Sequence, residues 1–230
     1  MGFAPCNDIG DSFAPMMNQE DSVADRSFAR QLRADILAGR FRPGEWLKQA
    51  DLESSYGANR FEVRIALSEL AARHLLDHFP NRGYRVANPT DLEREQLYEV
   101  RTILETGAAR LIVTRVLDAD ITELEEIANA FDRAVEHGDV TELRDLNARF
   151  HDRFYGMSGN ALLANQIREL RERGIPGRSG SWSRVAGIRA SNADHREMVE
   201  LLKRRDGEGL SHVIYRHLNR WREFGLPRSD

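Results

Sequence analysis

Glycine and proline cut the first third of this chain into pieces that fit only a small helical unit closed by a hairpin. Phe28, Leu32 and Ile36 recur every four residues, which sets them on one face of a helix, and Gly39 ends it. FRPGEWL follows as a turn, because Pro43-Gly44 cannot continue a helix. A short helix over 50–56 stops at Gly57, and Asn59 caps a third in which Val63, Leu67 and Leu70 form a buried stripe. Two extended runs, LLDHF and YRVA, flank Pro80-Asn81-Arg82-Gly83, the signature of a hairpin with a glycine-containing turn. Helix, helix-turn-helix and hairpin in that order predict a winged helix-turn-helix over 23–88.

Residues 1–22 are rich in Asp, Asn, Ser, Gly and Pro and are expected to form a flexible arm. Pro89 and Asp91 mark the next boundary, with Asp91 expected to cap a long helix to about Leu117. From there to residue 230 every segment repeats with helical period. Ile121, Leu124, Ile127, Phe131 and Val135 make one stripe, closed at His137-Gly138. Leu143, Leu146, Phe150 and Phe154 make a second, and Leu162, Leu163, Ile167 and Leu170 a third, running into the loop GIPGRSGS. Met198, Val199 and Leu202 belong to a fourth, and Leu210, Val213, Ile214 and Trp221 to a last. No β-alternation follows Val86, so 89–230 is expected to be an all-α bundle and the whole chain mainly α.

Composition narrows the classes. An apolar fraction of 41% supports a packed core. No apolar run approaches the roughly 20 residues that span a bilayer, and the first residues do not read as a signal peptide, so a cytoplasmic protein without membrane contact is expected. Cys6 is the only cysteine, which excludes an internal disulfide. The net charge of −4 is uninformative, but its distribution is not: between Ser27 and Val86, ten Lys or Arg stand against seven acids. A locally basic module on an acidic remainder suits a DNA-binding segment attached to something else.

A recognition helix inserts its N-terminal residues into the major groove. Here these are Asn59, Arg60, Phe61, Glu62, Val63 and Arg64. Arg60 and Arg64, four apart, share the face opposite Val63 and Leu67, and arginine bonds guanine bidentately or grips phosphate. Two arginines on a helix also describe an ordinary solvated face; the position at the start of a turn-delimited third helix, before a Gly-tipped hairpin, favours DNA.

The stretch ILAGRFRPGEWLKQADLESSYGANRFEVRIALSELAARHLL with NRGYRV resembles the GntR family of bacterial regulators. The match lies in Gly-Arg, Pro-Gly, a Leu-containing short helix, Arg-x-x-x-Arg-x-Ala-Leu and a wing with Arg-Gly. The resemblance implies DNA contacts by Arg60, Arg64 and Gly83, with Asn59 and Arg82 beside them. The family more often has Ser or Thr at the position of Asn59, Thr-Pro at Phe61-Glu62 and Gly at His74; some members carry arginine at Ala50.

Three histidines, His151, His195 and His217, fall at core-facing or near-core helical positions in the second half. Neutral imidazoles directed into one bundle suit a divalent transition metal; three separate, hydrogen-bonded core histidines give the same spacing. Residues 92–222, through VRTILETGAARLIV, LNARFHDRFYGMSGNALL, DHREMVELLKRRDGEG and YRHLNR, resemble the FCD ligand-binding domain of FadR-type GntR regulators, and more narrowly its VanR-like branch. That resemblance implies a metal, zinc foremost and nickel or manganese otherwise, held by His151, His195 and His217. Asn147 stands where the family has Asp. An amide oxygen ligates without charge, so the site would stay near +2 and its open positions would favour an anionic group. Arg101, in the family's Arg-x-x-Leu-Glu pattern, is expected either to face the effector or to form a salt bridge between helices.

Together these readings predict a non-enzymatic repressor of a catabolic operon: a homodimer on a pseudo-palindromic double-stranded operator, controlled by a small carboxylate effector. The alternatives are a metal-dependent hydrolase or lyase using the same histidines, and a sensor of the metal itself.

Overall fold

A computed structural model describes residues 19–137, 140–174 and 185–224. The first unit runs α1 (Gln19–Ala38), β1 (Trp46–Leu47), α2 (Gln49–Tyr56), α3 (Arg60–Ala72), β2 (Leu76–Phe79) and β3 (Gly83–Val86). The second runs α4 (Asp91–Arg115), α5 (Asp118–His137), α6 (Val140–Gly156), α7 (Ala161–Arg173), α8 (Val185–Lys203) and α9 (Gly207–Phe224). No described helix is long and apolar enough to cross a membrane.

Two apolar cores follow this division. Phe28, Leu32 and Ile36 of α1 meet Leu52 of α2, Val63, Leu67 and Leu70 of α3, and Leu76 and Val86 of the hairpin. The other core joins Ile112, Leu124, Phe131, Phe150, Phe154, Met198, Leu202 and Ile214. Each such side chain contributes about 1.5–3 kcal/mol when fully buried. In the bundle α4 lies on α9, α5 lies against α6 and α8, and α8 lies on α9.

The strands form an antiparallel sheet in the order β1-β3-β2, with Leu76 opposite Val86 and Phe79 opposite Gly83. FRPGEWL is therefore more than a turn: Trp46 and Leu47 pair with Arg85 and Tyr84. Two residues carry no readable alternation, and the partner strand lies far along the chain. Gly83, at φ +96°, sits where the hairpin backbone needs the left-handed region, and a Cβ there would meet nothing within 4 Å.

Helix ends differ in detail from expectation. Thr90, not Asp91, caps α4, reciprocated by Glu93, whose carboxylate accepts from the Thr90 N–H at 2.8 Å. α4 ends at Arg115 because Val116 is already extended. Leu162 is 72% exposed: α7 starts at Ala161, and the side of its first turn that faces the bundle carries Leu163 and the buried Ala164, followed by Ile167. Of the expected arm, residues 1–18 lie outside the described part, and 19–22 are helical. Gly138, most of GIPGRSGS and the Trp221 side chain also lie outside it.

After α3 the chain closes the helix with Leu75 N–H on Leu70 C=O at 3.0 Å and His74 N–H on Ala71 C=O at 2.9 Å. This places His74 at φ +58°, where its Cβ is penalised. His74→Gly is expected to raise stability by on the order of 1 kcal/mol in urea denaturation; an unchanged or lowered midpoint would show that the turn carries no such strain.

Candidate functional site

The three histidines converge. α6 supplies His151, α8 His195 and α9 His217, and one ligand atom from each lies within 4.8 Å of the others. Ring centroids stand 4.8, 5.0 and 5.2 Å apart around the triangle. His151 and His195 turn their Nε2 atoms toward each other at 3.1 Å, close to the about 3.3 Å that two imidazoles on a tetrahedral zinc would adopt. Phe150 stacks on His195 at 4.2 Å and fixes its plane.

All three rings are held neutral. Burial is the main cause for each, and the Arg171 guanidinium adds to it. Asp194 pulls the other way on His217, accepting a hydrogen bond from Nδ1 at 3.3 Å. That contact puts the proton on Nδ1 and leaves the Nε2 lone pair for an ion, the usual support of a metal-bound imidazole. Among the described residues, the buried Nδ1 atoms of His151 and His195 have no hydrogen-bond partner. The donor set thus fits a divalent transition ion: neutral nitrogens, close together, with one ring oriented by a carboxylate.

Asn147 lies one turn before His151 on α6 and is half-buried. No hydrogen bond among the described residues engages its carboxamide.

Asp194 was not legible as a functional residue, although its sequence neighbour His195 was. It is wholly buried and receives Arg216 at 2.7 Å and Arg220 at 2.7 Å as well as His217. Burial alone would raise its pKa; the hydrogen bonds from Arg220, His217 and Arg216 outweigh this and hold it ionised. Arg-x-x-x-Arg around His217 was the available signal, since that spacing puts both guanidiniums on one side of α9.

Arg101 is buried and bonds Glu105 at 2.7 Å on its own helix. Tyr155 of α6 donates to the same carboxylate, and Arg171 of α7 stands 3.7 Å from it. Burial would raise the Glu105 pKa, but Arg101, Arg171 and Tyr155 lower it. Burial likewise works against the Arg101 charge, and Glu105 restores it. The salt bridge expected between helices is instead made one turn along α4 itself, and it is Tyr155 and Arg171 that bring α6 and α7 to the same carboxylate; among the described residues the buried Arg101 Nη1 has no hydrogen-bond partner.

At the other end of the molecule, Arg60 and Arg64 are exposed on α3. Asn59 is exposed too, but its Oδ1 is committed to the Phe61 and Glu62 N–H groups at 2.9 and 3.0 Å, so only its amide nitrogen faces outward unspent. The Arg82 guanidinium lies 4.8 Å over the Trp46 ring, which itself packs on Phe79 at 5.2 Å. Sequence reasoning had no access to Trp46, because the pairing of β1 brings it under the wing.

The family model of the FCD domain matches residues 96–220, and that of the bacterial regulatory proteins of the gntR family matches residues 26–86. The chain is 25% identical over 193 residues to the HTH-type transcriptional regulator YdhC of Bacillus subtilis (strain 168), covering 84% of this chain and 86% of that protein. It is 29% identical over 184 residues to the Nta operon transcriptional regulator of Aminobacter aminovorans, covering 78% and 84%. The solved structure of McbR/YncC from E. coli shares the fold, with a TM-score of 0.76 at 23% identity over 85% of this chain and 93% of that one.

The neutral rings set a pH dependence for the metal-free protein. Folded pKa values lie below the ordinary 6.5, so below about that pH the unfolded chain binds protons that the folded one refuses. Stability from this source is complete above pH ~6.5 and is lost as pH falls, by at most about 1.4 kcal/mol per pH unit for each ring. Urea denaturation after chelation, between about pH 7.5 and about pH 5.5, one unit either side of 6.5, is expected to show that slope. A flat profile would mean the rings are not buried together.

Proposed function

This chain belongs to the gntR family of bacterial regulatory proteins and carries an FCD domain, and on that basis we propose a DNA-binding repressor of a catabolic operon that answers to a small organic acid. Transcriptional regulation comes with the family; repression, the effector and the metal are the proposal. The observation that carries it is the meeting of His151, His195 and His217 inside the second core. We take 23–88 as the reading unit and 89–230 as the sensor.

In this reading the three imidazoles hold zinc, or nickel or manganese, and Asn147 offers its amide oxygen as a fourth ligand. The ion supplies Lewis acidity and positive charge for an anionic ligand. A carboxylate on the effector answers that charge. The hydrolase alternative is less favoured: Glu197 is turned to Arg216 at 2.6 Å, and the arginines beside Glu105 lower its pKa and so weaken it as a base.

Signal has a short path to DNA. At the end of α7, Arg171 faces Glu105 and the rings, while the next residue, Glu172, reaches across to Arg33 of α1, bonding its Nε at 3.1 Å. α1 packs on the recognition helix α3. A ligand that engages Arg171 would thus shift α7 and, through Glu172, α1. Two copies would read half-sites about 34–36 Å apart, and such a shift changes their spacing. For the dimer contact, the outer face of α4 offers exposed Leu92, Val100 and Ile103.

Three measurements test this scheme. His195→Ala is expected to lose bound metal in elemental analysis; full retention would reject the ligand set. Arg60→Ala should weaken binding to a duplex selected from a random pool by ~1–3 kcal/mol, and unchanged affinity would remove that contact. Glu172→Gln should keep metal and basal DNA affinity but blunt the change in affinity on adding effector acids; an unaltered response would rule out the α7 route.

A further inference from the structure

Most phenylalanines of the described chain lie in its cores, among them Phe28, Phe131, Phe150 and Phe154. Phe61 does not: it is 67% exposed in the first turn of α3, and Ile65, one turn on, is 37% exposed. A phenylalanine left in water forgoes the 150–250 Å² of burial that such rings supply. The pair share one face of α3, four residues apart, as Arg60 and Arg64 do beside them.

The first turn is held rigid. Asn59 Oδ1 accepts from the Phe61 N–H at 2.9 Å, and the Glu62 carboxylate is bent back to the Asn59 N–H at 2.7 Å. Glu62 is thereby taken out of the set that meets bases, although an acid in that position would suit a cytosine amino group. What remains on the tip of α3, beside the Asn59 amide nitrogen, is two guanidiniums and two apolar side chains. The guanidiniums match guanine or phosphate. An apolar side chain has one partner on a base edge in the major groove, the C5-methyl of thymine.

We infer that Phe61, backed by Ile65, is a specificity-determining residue that packs on a thymine methyl in each half-site, next to the bases met by Arg60 or Arg64. This inference rests on α3 being the reading helix. It assigns a base preference to a position where the family more often carries threonine, whose smaller side chain presents less apolar surface.

The test uses the full-length protein and a duplex selected from a random pool. Each thymine is then replaced in turn by deoxyuridine, which removes the methyl and leaves charge and hydrogen bonding as they were. The wild-type protein is expected to lose roughly three- to tenfold in affinity at one thymine per half-site. Phe61→Ala should bind the thymine and deoxyuridine duplexes alike, with Phe61→Leu in between. Because the side chain is exposed, the alanine variant should melt as the parent does. The same uridine penalty in Phe61→Ala would overturn the inference, as would sequence-selective binding with no methyl-sensitive thymine. A Phe61→Ala variant that changes oligomeric state but not base preference would assign the ring to a protein contact instead. If no duplex is selected at all, the reading role of α3 fails, and this inference falls with it.

Discussion

A carboxylate with no access to water must be satisfied entirely by the protein, and Asp194 is satisfied by α9. It takes Arg216, His217 and Arg220 from that helix while standing on α8 next to His195. One buried charge thus docks two helices, fixes the protonated nitrogen of one imidazole and sets the spacing between that ring and its neighbour. Without Arg216 and Arg220 that charge would stand uncompensated in the core, which is strongly destabilising.

The second polar knot, Arg101 with Glu105, Tyr155 and Arg171, does comparable work on the other side of the rings. It joins α4, α6 and α7 and keeps an acid ionised where burial would neutralise it. Neither knot puts a charge on the imidazoles themselves: burial keeps the rings neutral beside two sets of paired arginines and carboxylates.

Much of the architecture could be read from the residues because its causes are local. Gly39, Gly57 and the Asn59 cap fix helix ends, and the stripes from Ile121 to Phe131 and from Leu143 to Phe154 are periodic. The three histidines were visible as inward-facing positions, but their meeting was carried by resemblance, because spacing within single helices cannot tell how three helices turn toward each other. The strand at Trp46 and the exposure of Leu162 escaped for the same reason: both are decided by distant chain. Asp194 and Arg171 look like surface charges in a helix-rich sequence, and only packing makes them interior.

The wing shows how a contact made inside the protein can alter one made outside it. An arginine that clasps phosphate ordinarily surrenders much of its rotamer freedom on docking, and that lost entropy subtracts from affinity. Arg82 rests on the Trp46 indole, and Trp46 rests on Phe79, so part of this disorder is already gone before any partner arrives. Docking of the hairpin tip on a polyanion, as proposed for DNA, would then carry a smaller entropic penalty than the sequence Asn-Arg-Gly suggests.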